Sequence, residues 1–221
     1  MVASGTLRIN FPLTHFFTCC FQQVISKDPK DTRHRIEHLG LATVDSIARA
    51  GELKLALSFF VCHLYFYAKA YAEYIFGRER TDRWTPLSEA SKHGLLWSIH
   101  QDHPTFPGPG PLPMANLKTA VTRTHRDDQE TVYGPEYRVS IHEALKAYTI
   151  NAAWQIHKDD ELGSLEVNKK ADLLILSKNP YQVDPMELES IEVVETILDG
   201  HPTNLFKLSK VSGGKFLVFD D

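Results

Sequence analysis

The 221-residue chain is poor in cysteine, holding only Cys19, Cys20 and Cys62, two of them sequence neighbours. An odd count with adjacent members does not make a disulfide framework, and no Cys-x-x-Cys pair offers zinc or redox chemistry. The setting expected from this is a reducing compartment, the cytoplasm. Excess basic charge is also lacking: 24 Lys and Arg against 28 Asp and Glu leave a net charge of -4 at pH 7, which excludes a basic nucleic-acid binder. Long uninterrupted apolar runs are missing too. Leu53 to Phe76 carries Lys54, His63, Lys69 and Glu73, too many polar groups for a membrane span. The Phe- and Cys-rich stretch from Ile9 to Ile25 is interrupted by Pro12, His15, Gln22 and Gln23, with no clear small-residue cleavage site after it. Gly-x-Gly-x-x-Gly, Walker and Gly-x-Ser-x-Gly signatures do not occur, so nucleotide binding and serine hydrolase chemistry have no support.

What is present suits a folded α/β protein. The chain is 43% hydrophobic and 24% charged, close to an average globular composition. Its length admits a minimal β/α barrel, which takes about 200 to 250 residues. Residues 1–30 show no clear period. From 31 to about 160, strand and helix patterns alternate. Arg35 to His38 and Leu55 to Leu64 read as strands. Thr43 to Leu53 reads as a helix, and so does Tyr65 to Phe76, stopped by Gly77. Thr85 is placed to cap a helix with Pro86 at its first position and Gly94 past its end. A buried strand at Leu95 to Ile99 then runs into a Pro- and Gly-rich loop, Pro104 to Pro113, that excludes regular structure. Ser140 and Glu143 form a capping box for a helix to about Trp154. From 161 to 221 the texture is β-rich, with runs at Asp172–Leu176, Val193–Leu198 and Phe216–Phe219 separated by turn residues such as Asp199-Gly200.

The chain has eleven histidines, two sets of which are clustered. His34 and His38 are four apart, a spacing that puts both on one side of a helix or a strand. They are either metal ligands or ordinary polar residues. His100-Gln101-Asp102-His103 places imidazoles and a carboxylate after a buried strand, where barrel and open α/β enzymes carry their chemistry; a capping Asp flanked by surface histidines fits equally. His63 ends an apolar run and reads first as a buried core histidine. His15, His93, His125, His142, His157 and His201 have no partner pattern and are expected at the surface.

Several segments together carry a family resemblance. Arg33-His34-Arg35-Ile36-Glu37-His38, Ser98-Ile99-His100-Gln101-Asp102-His103-Pro104 and Ala120-Val121-Thr122-Arg123 are three of them. The others are Ala144 to Ala153, Leu162 to Val167 and Lys170 to Leu176. In this order they resemble the C-terminal part of the metal-dependent amidohydrolase superfamily, in its amidohydrolase 3 group. The resemblance covers about residues 31–205. It implies an α/β fold comprising strands six to eight of a (β/α)8 TIM-type barrel plus part of a small β-sandwich. It also implies one or two divalent metal ions, usually zinc, and hydrolysis of carbon–nitrogen bonds outside peptides in a small amide-like substrate. By the same resemblance His38 is a metal ligand, and Asp102 is both metal ligand and general base. His63 lines the substrate pocket or polarises the carbonyl, and His100 and His103 flank the site.

The group's other ligands have no counterpart here: no two histidines are two apart, and residues 1–30 match neither the strand-four Lys or Glu nor the strand-five His. The expectation is a truncated chain, inactive alone, that forms homo-oligomers or associates with a missing N-terminal half. The alternative is a non-catalytic remnant that serves as a binding or oligomerisation module.

Overall fold

The computed structural model describes residues 21–23, 25, 32–102 and 113–203. The α/β class expected from the sequence is observed. Three parallel strands, β1 (Arg35–His38), β2 (Ala56–Phe60) and β3 (Trp97–His100), form a sheet in the order β1-β2-β3. The crossover from β1 to β2 runs through α1 (Val44–Glu52), capped by Thr43, whose side chain accepts from Ser46 N at 3.1 Å. The crossover from β2 to β3 holds α2 (Cys62–Ala70), a π-helical turn over Tyr71–Ile75, α3 (Arg78–Asp82) and α4 (Leu87–Lys92). After β3 come α5 (Pro113–Thr122) and a hairpin of β4 (Thr124–His125) and β5 (Asp128–Val132). The chain then forms α6 (Ile141–Tyr148) and α7 (Ile150–Gln155). The last described elements form an antiparallel sheet, β6 (Leu173–Leu176), β7 (Val193–Leu198) and β8 (His201–Thr203), in that order.

The parallel sheet has two unlike faces because side chains alternate along a strand. Leu57, Phe59, Trp97 and Ile99 lie on one face and are buried against Ile47, Ala50, Leu87, Leu117 and Ala144 of the helices. Arg35, Glu37, Ser58, Ser98 and His100 line the other face, which walls a cavity of about 930 Å³. The middle strand, β2, is buried along its whole length, as expected for a parallel strand covered on both sides. Beyond β3, α7 ties itself to the sheet through two buried amides. Gln155 Nε2 donates to Leu57 O at 2.9 Å and its Oε1 accepts from Ser98 Oγ at 2.8 Å, while Asn151 Nδ2 donates to Trp97 O at 2.9 Å.

Several local expectations need correcting. The strand expected to reach Leu64 ends at Phe60, and Cys62 already opens α2. A buried strand and the buried start of a helix are equally apolar, so pattern alone does not separate them. Thr85 is no cap. It sits at φ +45°, its backbone N–H donates to Gly40 O, its buried hydroxyl has no hydrogen-bond partner among the described residues, and Pro86 precedes α4 with no side-chain bond. Pro113 belongs to α5 rather than to the loop, in keeping with the tolerance of proline in a first helical turn. Residues 104–112 and Phe216–Phe219 lie outside the described residues. The Ser140 capping box is present, but its helix breaks at Thr149, whose φ of -122° and ψ of -100° are not helical. The β4–β5 hairpin and β8 were not foreseen, although Asp199 and Gly200, both at positive φ, make the β7–β8 turn that their sequence suits.

Candidate active site

The three parallel strands end side by side, and each delivers a polar group at its carboxyl end. β1 ends on His38, β2 runs through Phe60 to His63, and β3 ends on His100, two residues before Asp102. Their register aligns His38 with Phe59, whose side chain faces the helices, while Phe60 and His100 are paired on the opposite face. The backbone resolves this mismatch: His38 sits at φ +72°, and its ring lies 4.9 Å from that of His100 and 5.3 Å from that of Phe60. Asp102 also adopts a positive φ, +51°. A left-handed conformation costs a non-glycine residue about 1 to 2 kcal/mol, and such strain collects at functional sites, where packing holds it in place.

Phe60 is the hub of the site, with His100 stacked on it at 4.8 Å and His63 at 4.3 Å. Burial pushes the His63 imidazole down to about 4, with His38 and His100 adding to the effect and Asp102 opposing it. His100 is likewise pushed down to about 4, chiefly by burial, against the pull of Glu37. Both rings are therefore neutral near pH 7, the form that coordinates a metal or accepts a proton. Among the described residues His38 Nδ1 and His100 Nε2 are buried without hydrogen-bond partners, and Glu37 Oε2 lies 4.0 Å from the latter. Buried ring nitrogens normally find a partner, so these two are available to a ligand.

Neutral imidazoles and a carboxylate are the donor types that zinc takes. The number of donors falls short: among the described residues no three His, Cys, Asp or Glu side chains are placed to hold one ion. A zinc site needs at least three protein ligands, so the described residues do not by themselves make one.

The structure brings His38, His63 and His100 together around Phe60, with Asp102 beside them on the cavity wall; His103 lies outside the described residues. His34 is distant in role, its ring packed against Phe21 at 5.1 Å. His125, expected at the surface, is buried: Nε2 meets Phe66 O at 3.1 Å and Nδ1 accepts from Asp127 N. Two features escaped the sequence reading. The first is the Arg35–Glu37 ion pair, 2.5 Å, on the polar face of β1; the alternation of charged and apolar residues through Arg35-Ile36-Glu37 was its signal. The second is what Arg123, the last residue of the Ala120–Arg123 segment, does: it is fully buried, and its guanidinium donates to Thr85 O, Trp84 O, Asp82 O and Tyr133 O. It fixes the turn that carries Trp84, whose ring lies 5.5 Å from that of His63.

Parallel strands that present imidazoles and a carboxylate at their carboxyl ends define an α/β protein whose candidate site sits where such sheets carry their chemistry. The Amidohydrolase family profile matches residues 16–203, and the chain belongs to that family. It is 28% identical over 179 residues to the putative amidohydrolase YtcJ of Bacillus subtilis, covering 78% of this chain and 32% of that protein. It is 27% identical over 212 residues to the N-substituted formamide deformylase of Arthrobacter pascens, covering 90% of this chain and 37% of the relative. The crystal structure of a metal-dependent hydrolase from Pyrococcus furiosus superposes with a TM-score of 0.61 at 25% identity, over 79% of this chain and 33% of that one. The chain thus spans about a third of the length of the relatives it matches. Among the described residues no helix is long and apolar enough to cross a membrane.

Proposed function

We propose that the chain supplies the strand-six to strand-eight portion of a (β/α)8 amidohydrolase barrel, followed by part of its β-sandwich. The activity would be metal-dependent hydrolysis of a carbon–nitrogen bond outside peptides, in the cytoplasm. The observation that carries this reading is the inward turn of His38 at the end of β1, which sets its ring among His100 and Phe60 with a buried nitrogen that has no partner among the described residues.

In this reading His38 and Asp102 would hold a divalent ion, zinc in the first instance, which supplies Lewis-acid polarisation of the amide carbonyl when bound. Asp102 accepts a proton from the attacking water and returns one to the leaving amine. His63, neutral and braced by Phe60 and Trp84, donates to or shapes the pocket around the carbonyl oxygen; His100 and His103 flank the reacting centre. Arg123 holds the Trp84 turn in place. An N-substituted formamide is a reasonable first substrate, by analogy with the Arthrobacter relative. With two assigned ligands the chain alone is inactive, and the missing donors come from a complementary N-terminal portion.

Co-expression with the N-terminal two thirds of a family relative tests this. Zinc content and formamide hydrolysis should appear in the pair and be lost in His38→Ala and Asp102→Ala. The short donor set also favours a second reading, a non-catalytic module, and a pair that assembles without taking up metal would select it. Stoichiometric zinc with turnover in the chain alone would refute the need for a partner.

A further inference from the structure

The inward turn of His38 is a strained piece of backbone. Leu39 N donates to Glu37 O at 3.0 Å across His38, whose φ is +72°. A bond that spans one residue at such a φ is the pattern of the γ-turn that is rare and strained. Leu39 follows at φ +50°. Two consecutive left-handed residues that are not glycine persist only where the surrounding structure holds them. Leu39 is buried in the core, and the turn between α3 and α4 grips the next residue, Gly40, in two ways. Gly40 O accepts from Thr85 N at 2.7 Å. The Trp84 indole lies so close to Gly40 that a Cβ there would stand 2.6 Å from Cζ2 and 2.9 Å from Cε2. Gly40 itself is not left-handed, so glycine is required here by the close approach and not by the backbone angle.

We propose that Gly40 and Trp84 are positioning residues for His38. The indole fills the space that a side chain at residue 40 would need and, with the Thr85–Gly40 bond, holds the turn that aims the His38 ring at His100 and Phe60. The grip is firm because its far side is pinned: the buried Arg123 guanidinium donates to Asp82 O, Trp84 O and Thr85 O. Thr85 is itself left-handed, at φ +45°, so the bond to Gly40 joins two segments that neither could hold alone. The Trp84 ring also stands 5.5 Å from that of His63, so one turn backs the imidazoles that follow both β1 and β2. The positioning is a property of the chain's own backbone, and its consequence for metal binding rests on the function proposed above.

Nuclear magnetic resonance of the whole chain is the test, with the His38 ring signals assigned by their loss in His38→Gln. The wild type should show a nuclear Overhauser contact between the His38 and Phe60 rings, whose centroids are 5.3 Å apart. Gly40→Ala should remove it, while the His100–Phe60 contact, carried by β2 and β3, remains. Adding Trp84→Phe takes away the indole atoms that the new Cβ would strike, and should restore the His38 contact. A merely destabilising alanine would not be rescued by shrinking a core tryptophan, which itself costs stability. If Gly40→Ala does not fold, the double variant still decides. In the pair co-expressed with an N-terminal portion, Gly40→Ala should weaken zinc binding about tenfold or more, the usual cost of losing a ligand's support. A pair that takes up no zinc, while Gly40→Ala still displaces His38, sinks the metal reading and leaves the positioning standing. A Gly40→Ala chain that keeps the His38–Phe60 contact because Trp84 has moved aside overturns the proposal. So does a double variant that fails to fold or in which the contact stays lost.

Discussion

The two three-stranded sheets of this protein use the same apolar residues and bury them to different degrees. In the parallel sheet all five residues of β2 are buried, and Phe59 is wholly inaccessible. In the antiparallel sheet β6 is just as apolar, yet half of Leu174 is exposed. The difference lies in what covers each strand. Helices α1, α4, α5 and α6 close over the apolar face of β1–β3, whereas among the described residues β6 has one strand neighbour and lines the open cavity. Hydrophobic stabilisation follows area removed from water, not the presence of leucine. The parallel sheet therefore contributes more of the hydrophobic stabilisation than the antiparallel sheet does.

Substitutions can break this contrast. Phe59→Ala in β2 should cost about 3 to 5 kcal/mol by opening a cavity in a close-packed core. Arg123→Met should cost about 3 kcal/mol by leaving four backbone carbonyls without their donor, and the altered Trp84 environment should show in tryptophan fluorescence. Both are read from denaturant midpoints at constant m-value.

Acidification sharpens the comparison from another side. An unfolded chain protonates His63 near pH 6.5, whereas the folded chain does so only at about 4. Between these values the unfolded state binds more protons, so stability falls as pH drops from about 6.5 through 4 and is untouched above 6.5. A loss on the order of 2 kcal/mol is expected from His63; His100, also held down to about 4, titrates over the same window, so His63→Phe should reduce the slope by about half. If the wild-type and His63→Phe profiles coincide, His63 is not buried as described. The smallest effect belongs to β6: Leu174→Ala should change stability by less than about 1 kcal/mol. A loss as large as that of Phe59→Ala would show that something covers β6.

Much of the framework was legible in the sequence because its signals are local. The Ser140–Glu143 capping box, the helix from Thr43 and the Asp199-Gly200 turn are set by residues within four positions of each other, and all three are present. The histidines and Asp102 at the strand ends were legible as candidates too. The polar partners between them were not, because each depends on chain segments far apart: Arg123 reaches Trp84 across 39 positions and Gln155 reaches Leu57 across 98.

The sequence by itself determined the α/β class, the three strands of the parallel sheet and the motif-bearing segments, because alternation, caps and turns act over a few residues. Only the tertiary structure decided where β2 yields to a helix, that Thr85 caps nothing, that Arg123 pins the Trp84 turn, and that His38 leaves the register of its own strand to face His100. Those outcomes are fixed by packing and by backbone strain that distant neighbours hold in place, and no local pattern encodes them.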